Sequence, residues 1–245
     1  MARFRPQDML WIWEQGQSSS PTRRALLIWM AASGERDWKL LADQPLGRRE
    51  AALLRIRAAT FGSTMEFFVV CPGCDAELEM QTDVHEELER GEPDDIDARF
   101  ELEIDTFQLE ARLPTSTDLL ALEQTGEVER ARRHLFSRCV EHATRRGDPI
   151  DIESVPDEVV DRVSEEFEHR DPLADMSHSL TCPMCQHSWR ARLDTAEFVW
   201  REIEVWARRL LREVDTLASA YGWSEGEILD LSAFRRRCYL ELLRS

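Results

Sequence analysis

Two Cys-Pro-x-Cys pairs, Cys71 with Cys74 and Cys182 with Cys185, are the residues of this chain best suited to chemistry. Two residues between the thiols let a tight turn aim both sulfurs at one tetrahedral ion, and Pro72 and Pro183 preset that turn. The reading is a single split four-cysteine site holding structural zinc. Four thiolates leave no open position for water, so a catalytic metal does not fit. Three other readings stay open: a redox dithiol, a pair of disulfides, and iron, which also accepts four thiolates. A redox pair normally opens a helix after a strand, and neither pair here does so. Disulfides are disfavoured because Met1 to Pro6 leads into a polar, tryptophan-bearing stretch without the continuous apolar run of a secretory leader. His178 and His187 sit close enough in sequence to replace a thiolate, but read as neighbours on the flanking strands. Cys139 and Cys238 fall in helical patterns and read as small core residues.

The flanks say what must position the thiols. Met65 to Val70 and Glu77 to Asp83 bracket the first pair with β-rich or alternating residues, and Met176 to Thr181 and Ser188 to Leu193 bracket the second. Each pair should therefore top a β-hairpin, and two hairpins sharing one metal make a zinc ribbon. The hundred-odd residues between them become an insertion. Within it, Glu86 to Asp97, with Gly91 and Pro93, reads as an acidic loop. Phe100, Leu102 and Ile104, then Phe107, Leu109, Ala111 and Leu113, alternate about Asp105-Thr106 as a hairpin with one buried face. Thr115 or Ser116 caps a helix from about Asp118. A second helix is expected over 127–142 and a third, acidic one from Pro156 to Phe167; His134 and His142 read as satisfied or solvent-facing.

Composition bounds the function. The chain has 245 residues, 42% of them apolar, enough for a core. No apolar run approaches the roughly 20 residues that span a bilayer, so a soluble protein is expected. The formal charge of −17 argues against nucleic acid as the principal partner. Most of that charge lies between the cysteine pairs, where residues 75–113 carry 15 acidic and 3 basic groups and 150–176 carry 10 and 2. Such runs are either a solvated face or a docking surface for a basic partner. There is no Gly-rich phosphate loop, no hydrolase order of Ser, Asp and His, and no carboxylate pair distinct from the general acidity, so nothing commits the chain to catalysis.

The two ends are helical. Met9, Leu10, Trp11, Ile12 and Trp13 crowd together before Gly16, seeking either the chain's own core or another subunit, where tryptophan is enriched at hot spots. A helix from Pro21, capped by Ser20, a short turn over 37–41, and a helix over 48–60 stopped by Gly62 lead into the first pair. From Thr195, Val199, Ile203, Trp206, Leu210, Val214, Leu217 and Tyr221 draw one apolar stripe over about six turns. Ser224 and Glu227 form a capping box for a short helix, and Ser232 caps a last one carrying Arg235, Arg236 and Arg237. That basic triplet is set for phosphate or, more naturally, for ion pairs within the protein or across an interface.

The order of these features resembles a family encoded beside contractile phage tails and related injection systems. The segments that carry the likeness are "LADQPLGRREAALLRIRAATFG" running into "CPGC", "ARLPTSTDLLAL", "DPLADMSHSLTCPMC" and "YGWSEGEILDLSAFRRRCYLELL". The chain is similar to the baseplate hub assembly chaperone family of T-even phages, whose smaller members lack so long an acidic insertion. The resemblance implies a non-enzymatic baseplate component or assembly factor whose partners are baseplate, hub or tail subunits. It would act in the bacterial cytoplasm during assembly or stay in the particle. A zinc-ribbon nucleic-acid-binding protein is the alternative. The expected fold is α+β, with a helical segment 1–62, a split ribbon at 63–83 and 176–194, an acidic α+β insertion at 84–175, and a helical segment 195–245. Trp11, Trp13 and Arg235 to Arg237 are the candidate partner contacts.

Overall fold

A computed structural model of the chain describes residues 4–91, 97–123 and 125–244. Its scaffold is a helical packing of α1 (Pro6–Gly16), α2 (Pro21–Ser33), α4 (Leu46–Phe61) and α9 (Thr195–Tyr221), with the short α3 (Trp38–Ala42) beside it. Met9 and Ile12, Ala25 and Ile28, Leu53 and Ile56, and Val199, Trp200 and Ile203 supply one apolar cluster from all four long helices. Helix α1 packs tightly because Gly16 has no Cβ; one placed there would lie 2.3 Å from the Trp200 ring. The far half of the α9 stripe, Leu210, Val214 and Leu217, is covered by α10 (Glu225–Asp230) and α11 (Ala233–Leu242) through Ile228, Leu229 and Leu240.

From α4 the chain enters a hairpin, β1 (Thr64–Val70) against β2 (Glu77–Asp83), in register from Thr64 with Asp83 to Val70 with Glu77. The matching hairpin, β7 (Ser177–Thr181) against β8 (Ser188–Arg192), feeds α9. Their bases share a cluster of Met65, Val84, Leu173, Met176 and Leu193 with Ala51 and Leu54 of α4. Between them lies a four-stranded antiparallel sheet, β3 (Arg99–Ile104), β4 (Phe107–Arg112), β5 (Val140–Arg145) and β6 (Asp148–Pro149), with α6 (Ser116–Leu122), α7 (Val128–Cys139) and α8 (Asp157–Arg170). Among the described residues, its apolar cluster, from Phe100 to Val163, draws only on the insertion. The architecture is α+β.

Two sequence expectations need correction. The stretch from Glu86 is not loop throughout: Asp83 caps α5 (Val84–Leu88) by accepting the His85 N–H at 2.8 Å, and Val84 anchors it in the cluster at the hairpin bases. Pro93 lies outside the described residues. The helix expected to reach His142 stops at Cys139, and Val140 to Arg145 instead pair with β4, with a bulge at Glu110 and Ala111. Tertiary pairing overrides a short helical periodicity that one strand can also satisfy.

Buried polar contacts hold the insertion's own elements to one another. Asp118, fully buried in α6, accepts from Arg112 at 2.7 and 2.9 Å, from Arg138 at 2.9 Å, and from the Thr115 N–H and hydroxyl at 3.0 and 2.9 Å. Burial opposes its charge, but these donors outweigh it and hold the carboxyl below the ordinary range. Asp118→Asn keeps the shape and removes the charge that two guanidiniums face, so a loss of about 2 kcal/mol is expected in denaturant unfolding. Unchanged stability would mean that solvent already serves both arginines.

Candidate metal centre

Each cysteine pair sits in the same local structure. After β1, the Cys71 N–H donates to the Ala76 carbonyl and the Asp75 N–H to the Cys71 carbonyl, both at 2.9 Å; after β7, Cys182 N–H to His187 and Gln186 N–H to Cys182 repeat both bonds at 2.9 Å. The turns close through a left-handed residue, Asp75 at φ 57° and Gln186 at φ 61°. A Cβ is costly there, by roughly 1 kcal/mol, and Asp tolerates the region better than Gln. Gln186→Gly should therefore raise the melting temperature by a few degrees and Asp75→Gly by less. A lower melting temperature for Gln186→Gly would show that the Gln186 side chain, whose amide reaches the Pro183 carbonyl at 3.3 Å, matters more than backbone strain.

The two turns face each other, and their thiols interleave. Cys71 Sγ lies 3.6 Å from Cys185 Sγ, and Cys74 Sγ 3.6 Å from Cys182 Sγ, while all four ligand atoms fall within 4.8 Å of one another. A tetrahedron with metal–sulfur bonds of about 2.3 Å has sulfur edges of about 3.8 Å. No cysteine is in a disulfide, and neither pair opens a helix, so the arrangement lacks the geometry of a redox dithiol. Cys71 and Cys182 are buried, whereas Cys74 and Cys185 face solvent.

The electrostatics fit a cation. Burial works against the Cys182 thiolate, but the N–H groups of Cys185 and Met184 and the thiols of Cys71 and Cys74 outweigh it and bring the group down to about 7. The Cys74 thiol, although the Ala76 N–H favours its ionised form, is pushed up to about 12 by its bonds to the thiols of Cys185, Cys182 and Cys71 and by desolvation. A dication among the thiols would offset the mutual repulsion of their ionised forms, so metal binding there would be coupled to proton release. The Gly73 N–H, 3.4 Å from Cys71 Sγ, adds one more donor to sulfur.

The other sequence candidates disperse. His187 stacks on Trp189 and packs over Gly73, where an added Cβ would meet it at 3.0 Å; it is not among the ligand atoms. His178 Nε2 points instead to buried Glu87, 3.4 Å from Oε1, joining the second hairpin to α5, a contact that no sequence spacing announces. Cys139 is buried, and burial pushes its thiol up to about 12; Cys238 is half-buried. Trp11 is 43% exposed on α1, but Trp13 packs into both scaffold clusters. The arginine triplet is split: Arg236 is buried, donating to Glu213 at 3.2 Å and the Leu231 carbonyl at 2.7 Å, while Arg235 and Arg237 are exposed.

Among the described residues, no helix is long and apolar enough to cross a membrane. A family model described as T4 bacteriophage base plate protein matches residues 35–198, more than half of the chain, from just before α3 to the first turn of α9. No match was found among curated proteins or solved structures.

Proposed function

This chain belongs to the family of T4 bacteriophage base plate proteins, and we propose on that premise that it is a non-enzymatic, zinc-stapled protein–protein adaptor in the baseplate of a contractile phage-tail-like injection system. The observation that carries the adaptor reading is the meeting of four thiols from hairpins more than a hundred residues apart. Zinc suits four thiolates at tetrahedral spacing and brings no open position, so its role is mechanical. It would fix the helical scaffold, residues 1–62 and 195–245, and both ends of the acidic insertion, 84–175, around one joint formed by 63–83 and 176–194. A rigid joint presents a helical face and an acidic lobe in fixed relation, which is what an adaptor between tail subunits needs. Assembly in the bacterial cytoplasm, as a transient factor or as a subunit retained in the particle, is compatible with that design.

The test is metal analysis of the purified chain together with size-exclusion chromatography with and without the neighbouring tail subunits. One zinc per chain and a stable complex are expected. A metal-free chain with oxidised cysteines would overturn the staple, and zinc-loaded chain that always elutes alone would overturn the adaptor. Trp11 is the clean probe of docking through α1, because Trp13→Ala would also remove core packing. Trp11→Ala should weaken co-purification by about tenfold while leaving the melting temperature unchanged; wild-type recovery would remove Trp11 from the interface.

A further inference from the structure

The strongest unassigned feature lies between α9 and the C-terminal residues. Helices α9 and α11, with the residues after α11, flank a groove of about 760 Å³. Its floor is apolar, made by Trp206, Leu210 and Leu240, and its walls carry five arginines against two glutamates. This is a local reversal of sign in a chain whose net charge is −17. One of the two glutamates is already spent: Glu213 accepts from Arg209 and from buried Arg236, each at 3.2 Å. Arg212, Arg237 and Arg244 are exposed and have no carboxylate partner among the described residues. The stretch of α9 facing the groove, from Trp206 to Thr216, is about 15 Å long, enough to lie along nearly three turns of a helix.

We propose that this groove is a docking site for an acidic amphipathic helix of a partner protein. Three arginines without a carboxylate partner beside apolar side chains match a segment that presents leucine-like anchors on one side and carboxylates along its edges, which is the helix-in-groove mode of recognition. Arginine suits the task because its planar donors engage carboxylates in pairs. A nucleic acid is the poorer occupant: the floor offers apolar side chains where a phosphate backbone needs further cations, and the glutamates stand in its path. The inference rests on the adaptor reading for the existence of a protein partner, but not on zinc. The groove lies beyond residue 198, outside the segment that the family model matches.

The test uses the full chain and a fluorescein-labelled synthetic helix of Glu and Leu heptads, read by anisotropy. The competitors are its Lys-for-Glu counterpart, a polyglutamate of equal length and a single-stranded oligonucleotide. Saturable binding of the Glu/Leu helix is expected, with no competition from the Lys helix and at least about tenfold weaker competition from polyglutamate. The double variant Arg237→Glu and Arg244→Glu should lose about tenfold in affinity, with unchanged helicity and melting temperature because both side chains are exposed. The proposal is overturned if the Glu/Leu helix fails to bind at about 100 μM, if polyglutamate or the oligonucleotide competes equally well, or if the double variant binds as the wild type does. It is overturned equally if sedimentation shows that a second copy of the chain fills the groove. Failure of the adaptor reading would show differently, as absence of a complex with tail subunits despite intact peptide binding.

Discussion

Cys182→Ser should cost the chain its metal and its joint. Zinc content is expected to fall from one per chain to nearly none, and amide exchange in β1, β2, β7 and β8 should accelerate by about a hundredfold to several thousandfold, while the α1, α2 and α9 core keeps its protection. Each hairpin is an isolated two-stranded ribbon, a structure only marginally stable in water by itself. No strand pairing links the two, so their mutual position depends on the thiol cluster and on the apolar cluster at their bases. A structural zinc can couple more than 10 kcal/mol of binding to folding in isolated fingers. Here the remaining cores persist without it, so the loss is local, and about 3–5 kcal/mol in the hairpin region is the expected reading. Burial adds a gradient. Serine at buried Cys182 cannot borrow a solvent ligand, whereas serine at exposed Cys185 can admit water to the fourth position, so Cys185→Ser should retain zinc more weakly rather than lose it. Stripping the wild type with a chelator should reproduce the Cys182→Ser exchange pattern. Wild-type zinc content and exchange in Cys182→Ser would sink the staple.

The two cysteine turns were legible in the chain because their signals are local. A proline between two cysteines and flanking β residues define a turn within six positions, and both turns close through the same pair of backbone bonds at Cys71 and Cys182. The stripe from Val199 to Leu217 was legible for the same reason, since helical periodicity needs no partner to be read. What escaped depends on distant segments. Val140 follows a helical pattern yet pairs with Ala111, a choice made by a strand 29 residues upstream. Trp13 and Arg236 look like surface-ready residues, and only the packing of α1, α10 and α11 on α9 buries their working parts. Of the groove arginines, Arg212 lies on α9 and Arg244 just past the end of α11, and they line one groove only once α11 has folded back along α9.

The least legible contact is also the basis of the second large effect. Helix α4 begins at Pro45, which offers no side-chain cap, so its first N–H groups need outside acceptors. Two remote segments supply them: the Pro114 carbonyl takes the Leu46 N–H at 3.0 Å, and the Asp171 carboxylate takes the Gly47 N–H at 2.8 Å. By helix propensity alone Gly47→Ala should stabilise α4 by about 1 kcal/mol. The opposite is expected. A Cβ at Gly47 would lie 1.7 Å from Asp171 Oδ1 and 2.7 Å from its Cγ, so the buried carboxylate must leave its donor without reaching another. A loss of about 3 kcal/mol follows, with the insertion's return loosened from the scaffold.

The same carboxylate should make stability depend on pH. Burial, helped by Glu50, raises Asp171 to about 6 from its ordinary 3.8, against the opposing pull of the Gly47 N–H and of Arg48 and Arg49. The folded state then holds a proton that the unfolded state releases, so this group's contribution to stability falls as pH rises from about 4 to about 6 and stays low above that. A difference of about 2 pK corresponds to about 3 kcal/mol at neutral pH. Asp171→Asn keeps an acceptor for Gly47 and abolishes the charge. It should stabilise the protein at pH 7 by about 1–2 kcal/mol, the remainder being spent on the buried amide N–H groups, and flatten the profile between pH 4 and 6. The double cycle separates the two effects. Gly47→Ala made on Asp171→Ala should cost less than about 1 kcal/mol, because the atoms it strikes are gone. If the two substitutions instead add independently, the carboxylate and the helix terminus are not coupled, and α4 takes its first acceptor from solvent.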